Sequence, residues 1–462
     1  MTHDDITAKV TVTSTHLTAT PTPGRTEMNS AVNPSRSKTT PTPAPSNSAL
    51  LLDARYADLV VRAAPYTAPG AHEIVIRNRA IAVNPLDEIK QSTGDLMYRW
   101  LPYPAVLGED VAGEVVEVGS AVTRFQPGDR AIGYAVGMEK GRNHQAEGAF
   151  QLFTVVQGNL ASPIPDAMSF EDAVVLPLAV STAASALFGR DQLGLRHPTT
   201  PAGAGAQGDS TAPNGAGAHG DSSAQGDSRQ SADSGTLGDA RQPADSGALA
   251  GSRTETVVVW GGSTSVGSNA IQLARAAGYA VISTASPRNH DYVLGLGAAR
   301  VFDYGSPTVV KDIIEAIAGA PVAGVFAVGT GSAEPAVAIA AATGAKRVSL
   351  ATPSVSLARL PRRAGPSLEL MRVGLGMLAS NVALQARSRS RGIKANYVWG
   401  STLMNDEVGP MLWRDFLPAA LADGRFVAAP RPQVVGSGLE HVQAALDLLR
   451  QGVSARKLVV LL

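Results

Sequence analysis

The 462-residue chain contains no cysteine. That excludes a disulfide framework, a catalytic thiol, an iron–sulfur cluster and any zinc site built on thiolates. Aromatic residues are only 5% of the chain and charged residues only 17%. The 39 Lys and Arg are balanced by 39 Asp and Glu. There is thus no cationic excess to neutralise phosphates, and no nucleic-acid partner is expected. Long hydrophobic runs are lacking too. The two most apolar windows are Ala173–Phe188, interrupted by Pro177 and Ser181-Thr182, and Leu368–Leu384, interrupted by Arg372. Neither is expected to span ~30 Å of hydrocarbon, so no membrane partner is expected. The N-terminus opens on His3-Asp4-Asp5, without a basic start and an apolar stretch. No export signal is expected, and the expected location is the cytoplasm.

Gly (47) and Pro (30) are abundant, too abundant for a uniformly compact chain. Residues 1–48 hold no aromatic residue and are rich in Thr, Pro and Ser. Residues 197–253 repeat Gly-Asp-Ser loosely, at Gly208, Gly220 and Gly226, with almost no large apolar side chain. Neither stretch can bury enough apolar area to offset its ordering entropy. The first is read as a disordered tail and the second as a disordered insert in a surface loop. Pro353–Arg391 reads as a weaker irregular region. In the first remaining block, β-branched runs at Glu73–Arg77 and Glu114–Val118 between Gly and Pro turns suggest a small β-barrel. The second alternates. Strands are expected at Thr256–Trp260, Tyr279–Ser283, Val301–Phe302, Gly324–Val328 and Arg347–Leu350. Helical segments are expected at Ser268–Ala277, Tyr292–Leu296 and Val309–Ile317. This order predicts βαβ units on a parallel sheet, hence an α/β fold.

The first of those strands runs into Gly261-Gly262-Ser263-Thr264-Ser265-Val266-Gly267. Strand, Gly-rich turn and helix together form a phosphate cradle. Gly261 and Gly262 permit a tight turn with close backbone approach, Gly267 permits close helix–strand packing, and the helix N-terminus offers free N–H groups. A dinucleotide is therefore expected here. An NAD site would carry an acid about 20 residues further on, to bond the ribose 2′-hydroxyl. This chain instead offers Ser283-Thr284-Ala285-Ser286-Pro287-Arg288-Asn289. Ser286 can donate to a 2′-phosphate and Arg288 can pair with it, so the expected cofactor is NADP(H).

Pro104–Gly113, Val115–Gly119, Pro127-Gly128-Asp129-Arg130, Pro177–Ala183 and Gly297-Ala298 with Phe302-Asp303-Tyr304 resemble the signature of the medium-chain dehydrogenase/reductase superfamily. Asn84-Pro85-Leu86-Asp87, Ser286–Asn289 and Gly452–Lys457 resemble its zinc-free enoyl/quinone reductase-like branch, which includes the trans-acting enoyl reductases of fungal polyketide pathways. The resemblance covers about Leu50–Arg196, Thr254–Leu350 and Gly392–Leu462. It implies a GroES-like β-barrel domain in residues 49–172. A Rossmann doubly wound parallel-sheet domain follows in 173–426, and residues 427–462 return to the barrel. It implies coenzyme contacts at Thr182, Gly261–Gly267, Ser286, Arg288, Asn289 and Tyr304. Asn84 and Asp87 are counted among the cofactor-binding residues too, shaping the loop rather than doing chemistry. A substrate cleft is implied between the domains. Zinc-dependent members carry a His directly after the first Gly of the signature, where this chain has Glu109, and no metal is expected.

Without a Lewis acid, reduction of an activated double bond is easier than alcohol oxidation, because negative charge collects on an oxygen that hydrogen bonds can hold. The expected activity is hydride transfer from NADPH to a small enone, enoyl or quinone substrate. The resemblance places Tyr98, Tyr103 and Tyr134 in cleft-forming stretches, and Tyr98 is the expected proton donor together with Lys90. In the resemblance the corresponding Lys sits one position earlier, at Ile89. Two alternatives stay open: a trans-acting enoyl reductase partnered with a polyketide synthase, and a coenzyme-binding protein without turnover.

Overall fold

The computed structural model describes residues 45–199, 254–353 and 368–462. The expected tail and insert lie outside the described residues except at their margins, and there the structure differs. Asn47 and Ser48 already belong to the strand Asn47–Leu52. Asn and Ser carry little strand signal, but the Asn47 amide is buried and donates to Pro65 O (3.1 Å) and Gln151 Oε1 (2.9 Å). At the insert's start, the His197 ring meets Phe188 edge-on.

The barrel is built on the ten-residue strand Glu73–Ala82. It pairs antiparallel with Asp110–Val118 and with Phe153–Gln157. Arg130–Tyr134 and Ala161–Pro163 extend the sheet on one side. The crossing at Gly113 is too close for a side chain, since a Cβ there would stand 2.0 Å from Arg77 O. A three-stranded sheet, Leu59–Ala64, Asn47–Leu52 and Ala105–Val106, lies beside it. Leu50, Leu52, Ile74, Ile76, Val111 and Phe150 join in one apolar core with Leu446 and Val460 from the chain's end. The C-terminal strand Arg456–Leu461 pairs antiparallel with Glu73–Ala82 and parallel with Arg431–Ser437.

The other sheet is parallel throughout. Its order is Arg300–Asp303, Ala280–Ala285, Thr256–Trp260, Val322–Ala327, Arg347–Leu350, Lys394–Tyr397. Thr256–Trp260 is buried along its whole length, as a strand covered on both faces must be. Successive strands add first to one side of it and then to the other. The switch point where ligands bind in such sheets therefore lies at its C-terminal end.

The run Phe170–Phe188 is long and apolar enough to cross a membrane, unlike the shorter window judged from sequence. However, 78% of that window is buried inside the fold, and its helix Pro177–Phe188 is core. The irregular region expected at Pro353–Arg391 is corrected as well, because Leu368–Arg389 forms a helix of 22 residues. Gly374 and Gly376 depress its propensity. Met371, Leu375, Leu378 and Val382 are exposed rather than turned to the core, so no core-facing periodicity marks it.

Candidate active site

The strand Thr256–Trp260 ends at Gly261, whose φ of 86° suits glycine. A Cβ on Gly261 would meet Val328 O at 2.5 Å, one on Gly262 would meet Ser283 Oγ at 2.2 Å, and one on Gly267 would meet Gly261 O at 2.2 Å. All three glycines are thus required by contact, and Gly267 sets the helix Ser265–Ala276 hard against the turn. Thr264 caps that helix, its Oγ1 accepting from the Gly267 amide at 3.0 Å and donating to Gly261 O at 2.8 Å. Ser263, Ser265 and Val266 are half-buried around the rim. This is a cradle for an anion beside a helix N-terminus.

Ala280–Ala285 and Arg300–Asp303 pair in register, Ala285 opposite Asp303. Their next residues therefore emerge side by side, Ser286 to Asn289 from one strand and Tyr304 from the other. Arg288 and Tyr304 are exposed, while Asn289 is buried. The Asn289 amide donates to both Ser286 Oγ and Ser454 Oγ at 3.1 Å, tying this loop to the chain's C-terminal segment. Arg456 and Arg431 stand opposite one another in the strand pair there. Their charges bear on the Tyr292 hydroxyl, which bonds Ser268 Oγ on the glycine-turn helix at 2.8 Å. Sequence reading missed Arg431, Ser454 and Arg456. They lie about 150 residues from the loop; Ser454 and Arg456 fall in the stretch Gly452–Lys457 that carries part of the resemblance, but nothing in it assigns them to this loop.

On the barrel side, a buried polar cluster surrounds the start of Asp110–Val118. Asp110 accepts from the Leu178 amide (2.6 Å), Asn84 Nδ2 (2.8 Å) and Lys457 Nζ (2.9 Å). Lys457 also donates to Asn84 Oδ1. Asp87 accepts from the amides of Asn84 (2.8 Å) and Gly108 (2.9 Å). Asn84 and Asp87 thus have their polar atoms committed within the barrel, and it is Asp110 that ties the barrel to the helix Pro177–Phe188. Lys90 is 0% exposed. Its ammonium donates to Asp95 Oδ1 (3.1 Å) and Tyr98 O (3.2 Å) and lies 4.8 Å from the Tyr103 ring centroid. Burial lowers its pKa. Lys90 therefore pins the backbone of Tyr98, which adopts a left-handed φ of 53°.

The Tyr98 hydroxyl is buried with no hydrogen-bond partner among the described residues. Burial raises its pKa, and the Glu109 charge raises it further. Its ring contacts Trp100 and Trp399 at 5.7 and 5.6 Å between centroids. Trp399 follows the C-terminal end of the edge strand Lys394–Tyr397 and donates to Glu139 Oε1 at 2.9 Å. The next residue, Gly400, packs on Thr182, whose Oγ1 would lie 2.5 Å from a Cβ there. Thr182, Trp399 and Tyr98 thus meet where the sheet's C-terminal edge faces the barrel.

Residues 70–166 match the alcohol dehydrogenase GroES-like domain. The chain is 43% identical over 418 residues to dehydrogenase pigH of Monascus ruber, covering 90% of this chain and 99% of that protein. It is 36% identical over 392 residues to trans-enoyl reductase himH of Aspergillus japonicus, 84% of this chain and 89% of that one. The quinone oxidoreductase of Coxiella burnetii shares the fold, with a TM-score of 0.55 at 19% identity over 90% of this chain and 100% of that one. The chain belongs to the medium-chain dehydrogenase/reductase family.

In this medium-chain oxidoreductase, the matched region coincides with the barrel, and the glycine turn opens the parallel sheet. Glu109, standing where zinc-dependent members have His, is buried between Gly108 and Asp110. Among the described residues, no three His, Asp or Glu side chains group closely enough to hold a metal ion.

Proposed function

We propose that the protein is an NADPH-dependent, zinc-independent reductase of activated C=C bonds or quinones. The observation that carries this reading is the glycine cradle continuous with a rim of Ser286, Arg288 and Tyr304 that holds no acid at the 2′-position. Arg431 and Arg456 support the choice of NADP(H). Among the described residues no carboxylate pairs with either. The cradle suits a pyrophosphate, because Gly261, Gly262 and Gly267 put no side chain over the turn that opens the helix Ser265–Ala276.

When bound, NADPH supplies a hydride. The turn and the helix N-terminus hold its phosphates, Ser286 and Arg288 its 2′-phosphate, and Thr182 with Gly400 borders the nicotinamide side of the cleft. Trp399 and Tyr98 exclude water from the reacting face. Tyr98 is the hydroxyl available to the developing anion, and Lys90 positions it through its carbonyl. Himh-type relatives favour a second reading, a trans-acting enoyl reductase whose substrate is carrier-bound. Calorimetry with NADPH and NADH, then NADPH oxidation with a quinone, an enone, an enoyl thioester and a carrier-bound enoyl chain, tests both. Turnover only on the carrier selects the second reading. Tight NADPH binding without turnover on any substrate leaves a coenzyme-binding protein, and no NADPH binding ends the proposal.

A further inference from the structure

Around the start of Asp110–Val118, three acidic side chains lie within electrostatic reach of Glu109: Asp87, Asp110 and Glu139. All three are accounted for. Asp87 and Asp110 are braced by amides, Asn84 and Lys457. Glu139 is held by Trp399. Glu109 is different: its Oε2 is buried and has no hydrogen-bond partner among the described residues. A buried acid that serves only structure normally has its oxygens satisfied, as its neighbours do. The hydroxyl Tyr98 Oη is orphaned too and lies within electrostatic reach of Glu109, as does that of Tyr134. The Trp399 ring packs on Tyr98, and a substrate seated there, as the ene-reductase reading requires, would lie beside both groups.

Resting on the ene-reductase reading above, we infer that Glu109 is the acid of this site, its carboxyl group delivering the proton that the substrate's α-carbon takes up, with the Tyr98 hydroxyl beside it. The β-carbon gains a hydride and its electron pair from the reduced coenzyme. The C=C π bond is lost, and the electron pair so released forms the α-carbon's C–H bond as the carboxyl O–H bond breaks. Glu109 is left as carboxylate and is reprotonated from water. The surroundings favour the protonated carboxyl. Burial raises its pKa well above the ordinary value, and Asp87 on the helix Pro85–Thr93, Glu139 and Asp110 raise it further. Lys457 on the C-terminal strand opposes them.

Glu109→Gln keeps the shape and removes the proton. Infrared difference spectra of the full chain without coenzyme, at neutral pH, should show a protonated-carboxyl band in wild type that E109Q lacks. With NADPH and a wild-type substrate, E109Q should lose kcat by on the order of 10²–10⁴-fold while its NADPH affinity is unchanged. Glu109→Asp should recover part of the rate, and Tyr98→Phe should keep the band but lower kcat. A spectrum that E109Q leaves unchanged overturns the inference. So does wild-type-like kcat in E109Q, even though the reductase reading then stands. If wild type reduces nothing, that reading fails and the infrared band still decides the state of Glu109. Should E109Q not fold, Glu109→Leu carries the same comparison, and E109D should show the carboxyl band shifted rather than lost.

Discussion

Replacing Lys457 by Met probes the joint between the barrel and the coenzyme domain. The ammonium is 6% exposed and the Asp110 carboxylate 0% exposed, at 2.9 Å. At an effective dielectric of about 20, a pair 2.9 Å apart attracts with about 6 kcal/mol. Removing the ammonium also relieves its own desolvation, which offsets part of that. Met fills nearly the same volume, so no large cavity term enters. The net cost is about 3–5 kcal/mol, the range for stranding one member of a buried pair. Asn84 loses the Lys457 donor as well. Urea unfolding at pH 7 reads the loss as a lower midpoint at unchanged slope. Adding Asp110→Asn should recover at least half of it, because no stranded charge then remains, and Asn still accepts from the Leu178 amide. A K457M cost below about 1 kcal/mol, or a double variant no better than K457M, would refute the reasoning.

Arg288→Ala should weaken NADPH binding by about 1.5–3 kcal/mol and leave NADH nearly unchanged; equal losses by calorimetry would detach Arg288 from the 2′-phosphate. Gly267→Ala would drive a Cβ to within 2.2 Å of Gly261 O, displacing the helix from the turn. Nucleotide affinity should fall by about tenfold or more, 1.4 kcal/mol, and wild-type affinity in that variant counts against the cradle. Burial raises the Asp87 carboxyl from 3.8 to about 7, outweighing its two amide hydrogen bonds. Its stabilising effect is therefore full below about pH 4 and is lost as pH rises through 7. Melting temperature should fall over that window, and Asp87→Asn should flatten the fall; parallel curves for the two proteins would exclude Asp87 as the source.

Local chemistry made the parallel sheet and its glycine turn legible. Thr256–Trp260, Val309–Ile317 and Arg347–Leu350 match the elements expected from periodicity, because buried β-branched runs and a glycine turn act within a few residues. Asn47 and the helix Leu368–Arg389 escaped, since one is a polar residue made strand by distant partners and the other turns apolar residues outward. Lys90 and Tyr98 could be named as candidates and Glu109 only as the residue standing in place of a zinc ligand, because their roles separate only in three dimensions. The fold spends the Lys90 ammonium on Asp95 and Tyr98 O, and it leaves Tyr98 Oη and Glu109 Oε2 without a partner among the described residues. The pairing of Arg431 with Arg456, and of Ser454 with Asn289, was beyond sequence for the same reason. Turn and strand propensities are short-range, whereas the partner of a buried charge is set by which distant segments the packed core brings together.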